Sequence, residues 1–96
     1  RLEFDNDPVV KTLVRAMDAA EELVDENADE VVWRIASKQL LDRIDEYAGQ
    51  APDTTAKLGL QLRSLSRKLQ EYEQITFSMQ HKMSGNEYTF TRPIAT

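Results

Sequence analysis

The sequence predicts an α+β fold: three helices, one short strand and a C-terminal two-stranded hairpin. Two observations predict it. Apolar residues recur at three- and four-residue spacing in three separate stretches, the mark of helices with one buried stripe. From Ile75 onward the period changes to two, as in strands with one buried face.

Asp7-Pro8 announces the first helix, because Asp7 can cap free amides and proline at the first helical position loses no hydrogen bond. Val10, Leu13, Val14, Met17, Ala20 and Val24 then form a single stripe. The far end is acidic, from Asp18 through Glu21, Glu22, Asp25 and Glu26, which opposes the helix dipole and predicts fraying near Asn27. Val31 to Ile35, with Trp33 at its centre, has the β-branched and aromatic make-up of a short strand. Ser37 is the expected cap of a second helix, Lys38 to about Ala48, which turns Leu40, Leu41, Ile44 and Tyr47 inward. Gly49 to Pro52 ends it, and Asp53 or Thr54 caps the third.

The third helix is the clearest. Leu58, Leu62, Leu65, Leu69 and Tyr72 step by four, three, four and three, so they fall within about 40° of one line. Opposite that line lie Ala56, Leu60, Arg63 and Arg67, with Ser64 and Gln70 at the edges. Two alternating strands follow at once, Ile75 to Gln80 and Tyr88 to Thr91. Pairing Phe77 with Phe90 and Met79 with Tyr88 leaves Lys82 to Gly85 as the loop. Helix, strand, helix, helix, strand, strand is the order of a winged helix-turn-helix, which presents one helix to the major groove of DNA and the hairpin to flanking backbone. The domain is expected to span residues 1–92, with 93–96 a tail.

A chain of 96 residues makes one domain with a modest core. No apolar run approaches the roughly 20 residues of a membrane span, and no signal-peptide pattern opens the chain. The absence of cysteine excludes disulfides and thiolate metal sites and fits a cytoplasmic protein. A first residue of Arg1 reads as a fragment of something larger. The net charge of −5 is uneven. Residues 1–36 hold ten acids against four bases, whereas residues 53–70 hold one acid, Asp53, against Lys57, Arg63, Arg67 and Lys68. The field within a Debye length, ~10 Å at moderate salt, governs phosphate contact rather than the total.

Arg63 and Arg67, one turn apart and opposite the leucines, are suited to phosphate or base-edge contact, although a solvated helix face has the same pattern. An exposed Leu60 on the same face, between two basic turns, suits a thymine methyl or a protein partner. Lys57 and Lys68, some 80–100° from the core line, either reach phosphates or snorkel at a packing boundary. Thr54 and Thr55 at the helix start, Ser64 beside the arginines, and Lys82 and Arg92 on the hairpin complete the expected DNA contacts. His81 near the turn fits backbone contact or plain solvation. Trp33, among Val31, Val32 and Ile35, reads as core. The acidic cluster from Glu21 to Glu30 lacks the glycine-turned loop of a divalent-cation site and reads as a solvated face or a docking patch for a basic partner. One histidine, no cysteine and no glycine-rich phosphate loop leave no spacing that sets a nucleophile beside a base, so the expectation is a non-catalytic domain with neither cofactor nor metal.

Three segments carry a resemblance: Asp7-Pro8-Val9-Val10-Lys11-Thr12-Leu13-Val14-Arg15-Ala16-Met17, Ala36-Ser37-Lys38-Gln39-Leu40-Leu41-Asp42-Arg43-Ile44, and the run from Lys57-Leu58-Gly59-Leu60 to Arg67-Lys68-Leu69. With the hairpin, they resemble the C-terminal winged-helix domain of phage- and plasmid-type primase–helicase proteins. The resemblance implies an accessory module that helps an ATP-driven helicase core engage DNA. Such domains often place a glycine just before the first wing strand, where this chain has Glu73-Gln74, a change expected to alter the tilt of the wing. The expectation is a DNA-binding module making mostly backbone contacts. The alternatives are a winged helix that docks on the parent helicase domain or a second subunit, and a dimeric transcriptional repressor.

Overall fold

The computed structural model describes residues 1–94 as an α+β domain in which four helices cover one face of a three-stranded antiparallel sheet. The elements are α1 (Leu2–Asn6), α2 (Pro8–Glu21), β1 (Glu30–Ala36), α3 (Ser37–Ala48), α4 (Thr55–Glu73), β2 (Thr76–Lys82) and β3 (Gly85–Pro93). The first, second and third predicted helices are α2, α3 and α4.

Local chemistry explains most boundaries. The Asp7 carboxylate accepts from the Val9 amide at 2.8 Å and the Val10 amide at 3.4 Å, with Pro8 as the first residue of α2. The Thr12 hydroxyl, buried on that helix, donates to the Pro8 carbonyl at 2.8 Å, so it brings no unsatisfied group into the core. No basic side chain neutralises the last turn of α2, and the helix stops at Glu21, earlier than the expected fraying point. The Ser37 cap does not form: Ala36 holds the cap position and Ser37 is the first, buried residue of α3. β1 stays paired as far as Ala36 opposite Glu87, so the strand sets this boundary. At α4 the Thr54 hydroxyl accepts from the Lys57 amide at 3.1 Å, which settles the choice between Asp53 and Thr54.

The sheet order is β1-β3-β2. Phe77 pairs with Phe90 and Met79 with Tyr88, as the alternation predicts, while Trp33 and Ile35 of β1 pair with the same Phe90 and Tyr88. These side chains share the inner face, where Phe90 meets the rings of Trp33 at 5.7 Å and Phe77 at 5.7 Å. The turn is tighter than the expected four-residue loop, because Lys82 pairs with Gly85 and only Met83 and Ser84 lie between the strands. Both keep negative φ, and Gly85 supplies the positive value, +122°, that returns the chain to the sheet.

Two features lie outside the expected pattern. The short α1 precedes the predicted start and buries Phe4, whose ring meets that of Tyr72 edge-on at 5.2 Å. β3 continues to Pro93 and the Ile94 amide donates to the Asp29 carbonyl at 2.9 Å, so the ordered sheet runs past the predicted boundary at residue 92. Ala95 and Thr96, the rest of the predicted tail, lie outside the described residues. One core joins all layers, built on Leu13, Met17, Leu40, Ile44, Leu62 and Phe90. Among the described residues no helix is long and apolar enough to cross a membrane.

Candidate nucleic-acid interface

α4 is amphipathic in the sense its spacing predicts. Leu58, Leu62 and Leu69 are fully buried, Leu65 is half-buried, and Tyr72 at the end of the row is partly open, its ring edge resting on Phe4. The opposite face is exposed along its length: Ala56, Leu60, Arg63, Ser64, Arg67 and Gln70 all stand in solvent. Leu60 is 63% exposed, a large apolar side chain left open among basic turns.

The cations of this face differ in how free they are. Among the described residues Arg63 and Lys68 form no ion pair. Arg67 lies 3.3 Å from Glu71, Lys57 3.2 Å from Asp53, and Lys82 3.0 Å from Glu87. The first two pairs are largely solvated and worth ~0–1 kcal/mol, while Glu87 of the third is only 25% exposed. The Thr54 hydroxyl accepts from Lys57 and keeps its own proton available; Thr55 is half-buried; the Ser64 hydroxyl donates back to the Gln61 carbonyl at 2.8 Å. At the hairpin end, His81 Nδ1 and Asn86 Oδ1 are 2.6 Å apart across the strands.

Arg92 is the exception among the expected contacts. Its guanidinium donates to Asp18 at 2.9 Å and to Glu21 at 3.1 Å, and its side chain is 13% exposed. It shares the inner face with Tyr88 and Phe90 and ties the end of β3 to the acidic end of α2. The expected phosphate contact is therefore replaced by an internal clamp: two carboxylates already fill its hydrogen-bonding fork.

The structure also brings together residues that sequence reasoning left apart. α4 and β2 diverge to leave an open trough in two halves. One, of about 360 Å³, is lined by Ala56, Gly59, Leu60, Met79 and Tyr88; the other, of about 470 Å³, by Ser66, Arg67, Gln70 and Thr76. Arg63 and Phe77 line both. Gly59 eases this approach: a Cβ there would lie 3.3 Å from the Tyr88 hydroxyl, close enough that the tyrosine would have to give by a few tenths of an ångström. Tyr88 itself is nearly inaccessible, and burial pushes its hydroxyl pKa up, while the Arg63 guanidinium nearby pulls it partly back. The Tyr88 hydroxyl makes no hydrogen bond among the described residues and lines the trough. The sequence signal that could have found it is Gly59, a glycine inside an otherwise strong helix, which marks close approach of another group.

The acidic stretch from Glu21 to Glu30 is solvated, and among the described residues no group of three or more His, Cys, Asp and Glu is arranged to hold a metal ion. Trp33 packs against the core, as its neighbours predict, and is half-buried, with the Arg43 guanidinium 5.6 Å from its ring centroid. Compared with models of known families, with curated proteins and with solved structures, the chain matches none.

Proposed function

We propose that this chain is a non-catalytic, winged-helix DNA-binding module, with α4 as the recognition helix and the β2–β3 hairpin as the wing. The observation that carries it is the exposure of Arg63 and Arg67 on the side of α4 away from its leucines, on a helix that runs straight into a hairpin. Around them Lys57, Lys68 and Lys82 offer further charge, and Thr54 a free hydroxyl proton at the helix start. The net charge is set against this, but residues 53–70 hold one acid against four bases, so the field along α4 differs from that of the chain, with Asp29 and Glu30 as the acids that border Gln70 and Thr76. Contacts of this kind go mostly to backbone, so the affinity is weak, salt-dependent and largely indifferent to sequence. An accessory place in a replication primase–helicase of a phage or mobile element, as the resemblance implies, is part of the same proposal.

A mobility-shift titration at two salt concentrations tests it. The expected outcome is binding that weakens as salt rises and is lost in Arg63→Ala plus Arg67→Ala. Binding undiminished by that pair of changes would rule the surface out.

One observation favours a second reading, a docking module. Leu23 is 87% exposed in the acidic turn after α2, where it suits an apolar, basic surface on a parent helicase domain or a second subunit. A stable dimer in light scattering that Leu23→Ser dissociates, without any DNA shift, supports that reading instead.

A further inference from the structure

We propose that the trough between α4 and β2 takes one unpaired DNA strand, a base resting on Phe77 with its neighbouring phosphates at Arg63 and Arg67. The preferred substrate is then single-stranded or forked DNA rather than plain duplex. This rests on the DNA-binding reading above and names its substrate class.

The lining decides the strand state. A base in duplex keeps both faces in its own stack and offers only its edge, which is read by paired donors and acceptors. The trough offers little of that. Its apolar half has Leu60 on one wall and Met79, 39% exposed, on the other. Phe77 is half-buried and open to both halves, while its neighbours Tyr88 and Phe90 are buried beneath. A partly open aromatic ring flanked by aliphatic and thioether groups suits an unstacked base, and it tolerates any base, since all have a π-face. The Tyr88 hydroxyl, without a partner among the described residues, lines this half together with the Ser78 hydroxyl and the Arg63 guanidinium, which also lack one there, so the half holds groups able to bond a base edge or sugar.

Charge supplies the other half of the match. Arg63 stands at the junction of the two halves and Arg67 lies one turn further along, ~6 Å on at helical rise. Both therefore border the polar half, where a strand leaving the apolar half would carry its phosphates. Beyond them Ser66, Gln70 and Thr76 are neutral hydrogen-bonding groups, and no carboxylate lines either half, the nearest acids on that side being Asp29 and Glu30 past Gln70 and Thr76. An acid-free trough in a chain of net charge −5 favours a polyanion over an acidic or neutral peptide.

Fluorescence anisotropy of the whole chain with a labelled oligothymidylate, and with a blunt duplex of equal length at the same salt, tests the assignment. The expected result is tighter binding of the single strand. Phe77→Leu keeps an apolar side chain of similar bulk but removes the ring face, so it should weaken the single strand by at least about fivefold, the lower end of what a stacked base contributes, while duplex binding is unchanged. In the unaltered protein a 4-thiothymidine oligonucleotide should photocrosslink within Thr76–Met79 or at Tyr88, a readout that does not depend on any variant folding. Duplex bound as tightly as single strand, with crosslinks elsewhere, overturns the strand assignment and leaves the DNA-binding reading standing. No binding of either oligonucleotide removes both. Self-association abolished by Met79→Glu, again with no oligonucleotide bound, assigns the trough to a second protein chain and overturns the proposal as well.

Discussion

Gln74 adopts a φ of +58°, the one positive value at a non-glycine position among the described residues. It ends α4: its amide donates to the Gln70 carbonyl, and the next amide, of Ile75, reaches the Leu69 carbonyl at 3.1 Å as the chain swings into the hairpin. The turn that a glycine would make easily is thus retained with a side chain, at a steric cost of ~1–2 kcal/mol for left-handed backbone. Glycine would relieve that cost but lose some of the gain to unfolded-state entropy. Gln74→Gly is expected to stabilise the domain by about 0.5 kcal/mol, visible as a higher urea midpoint at unchanged slope. A lower midpoint would mean the glutamine side chain makes contacts that offset its backbone strain. Tyr88 gives a second prediction at this scale. Burial raises its pKa above the ordinary 10.0 and Arg63 opposes the rise only in part. The folded state therefore holds the phenol proton more tightly than the unfolded state. Its contribution is complete below pH 10.0 and is lost as pH climbs through the folded value. Urea midpoints should fall between pH 9 and 11 more steeply in the unaltered chain than in Tyr88→Phe; parallel curves would show that Tyr88 ionises without resistance.

The elements that repeat a short period were legible in the sequence, and those that depend on distant partners were not. The leucines of α4 and the stripe of α2 declare their buried sides by spacing alone, as the inaccessibility of Leu58, Leu62, Leu13 and Met17 shows. The hairpin register follows from alternation, Phe77 opposite Phe90. α1 has only five residues and one buried side chain, Phe4, too few to show a period. β1 reads as a strand from Val31, Trp33 and Ile35, yet its place beside β3 joins residues nearly sixty positions apart, which no local pattern encodes. Of the candidate contacts, exposure on α4 was legible because it is the complement of the leucine row. The trough was not, since its other wall is supplied by Met79 and Phe77 across the sheet. Arg92 was half legible: alternation with Tyr88 and Phe90 already turns it inward, but nothing in the order of residues names Asp18 and Glu21 as its partners. Because that clamp joins β3 to α2 and the arginine itself is shielded, while Asp18 and Glu21 stay exposed, Arg92→Ala should destabilise the domain by about 1 kcal/mol. Lys57→Ala, which breaks a solvated pair, should change stability by at most about 0.5 kcal/mol. Equal effects on urea unfolding would show that the clamp contributes no more than a surface pair.

Over the whole molecule the acidic stretch from Asp18 to Glu30 engages Arg92, while Lys57, Arg63, Arg67, Lys68 and Lys82 stand in solvent on α4 and the hairpin, three of them beside a carboxylate. On the proposed DNA-binding reading this arrangement sets the salt dependence of binding. Each phosphate neutralised contributes ~0.7 to the slope of log affinity against log salt for a single strand and ~0.9 for duplex. On α4 the trough is lined from the side of Gly59, Arg63 and Ser66, while Lys57 and Lys68 lie on the other side of the helix, so a single strand in the trough meets Arg63 and Arg67 and its slope is about −1.5, whereas a duplex that reached all five cations would show about −4.5. To contribute, Arg67, Lys57 and Lys82 first have to leave Glu71, Asp53 and Glu87. Exposed pairs of this kind are weak, and the slope on duplex reads how many of them exchange. Were the pairs to hold, only Arg63 and Lys68 would release counterions and the slope would shrink to about −1.5 to −2. Anisotropy titrations across a fourfold range of salt separate the two cases. Arg63→Ala should then reduce the slope by about one contact's worth on either substrate. A slope that stays flat with salt would show that binding, if any, is not made through phosphates on this flank.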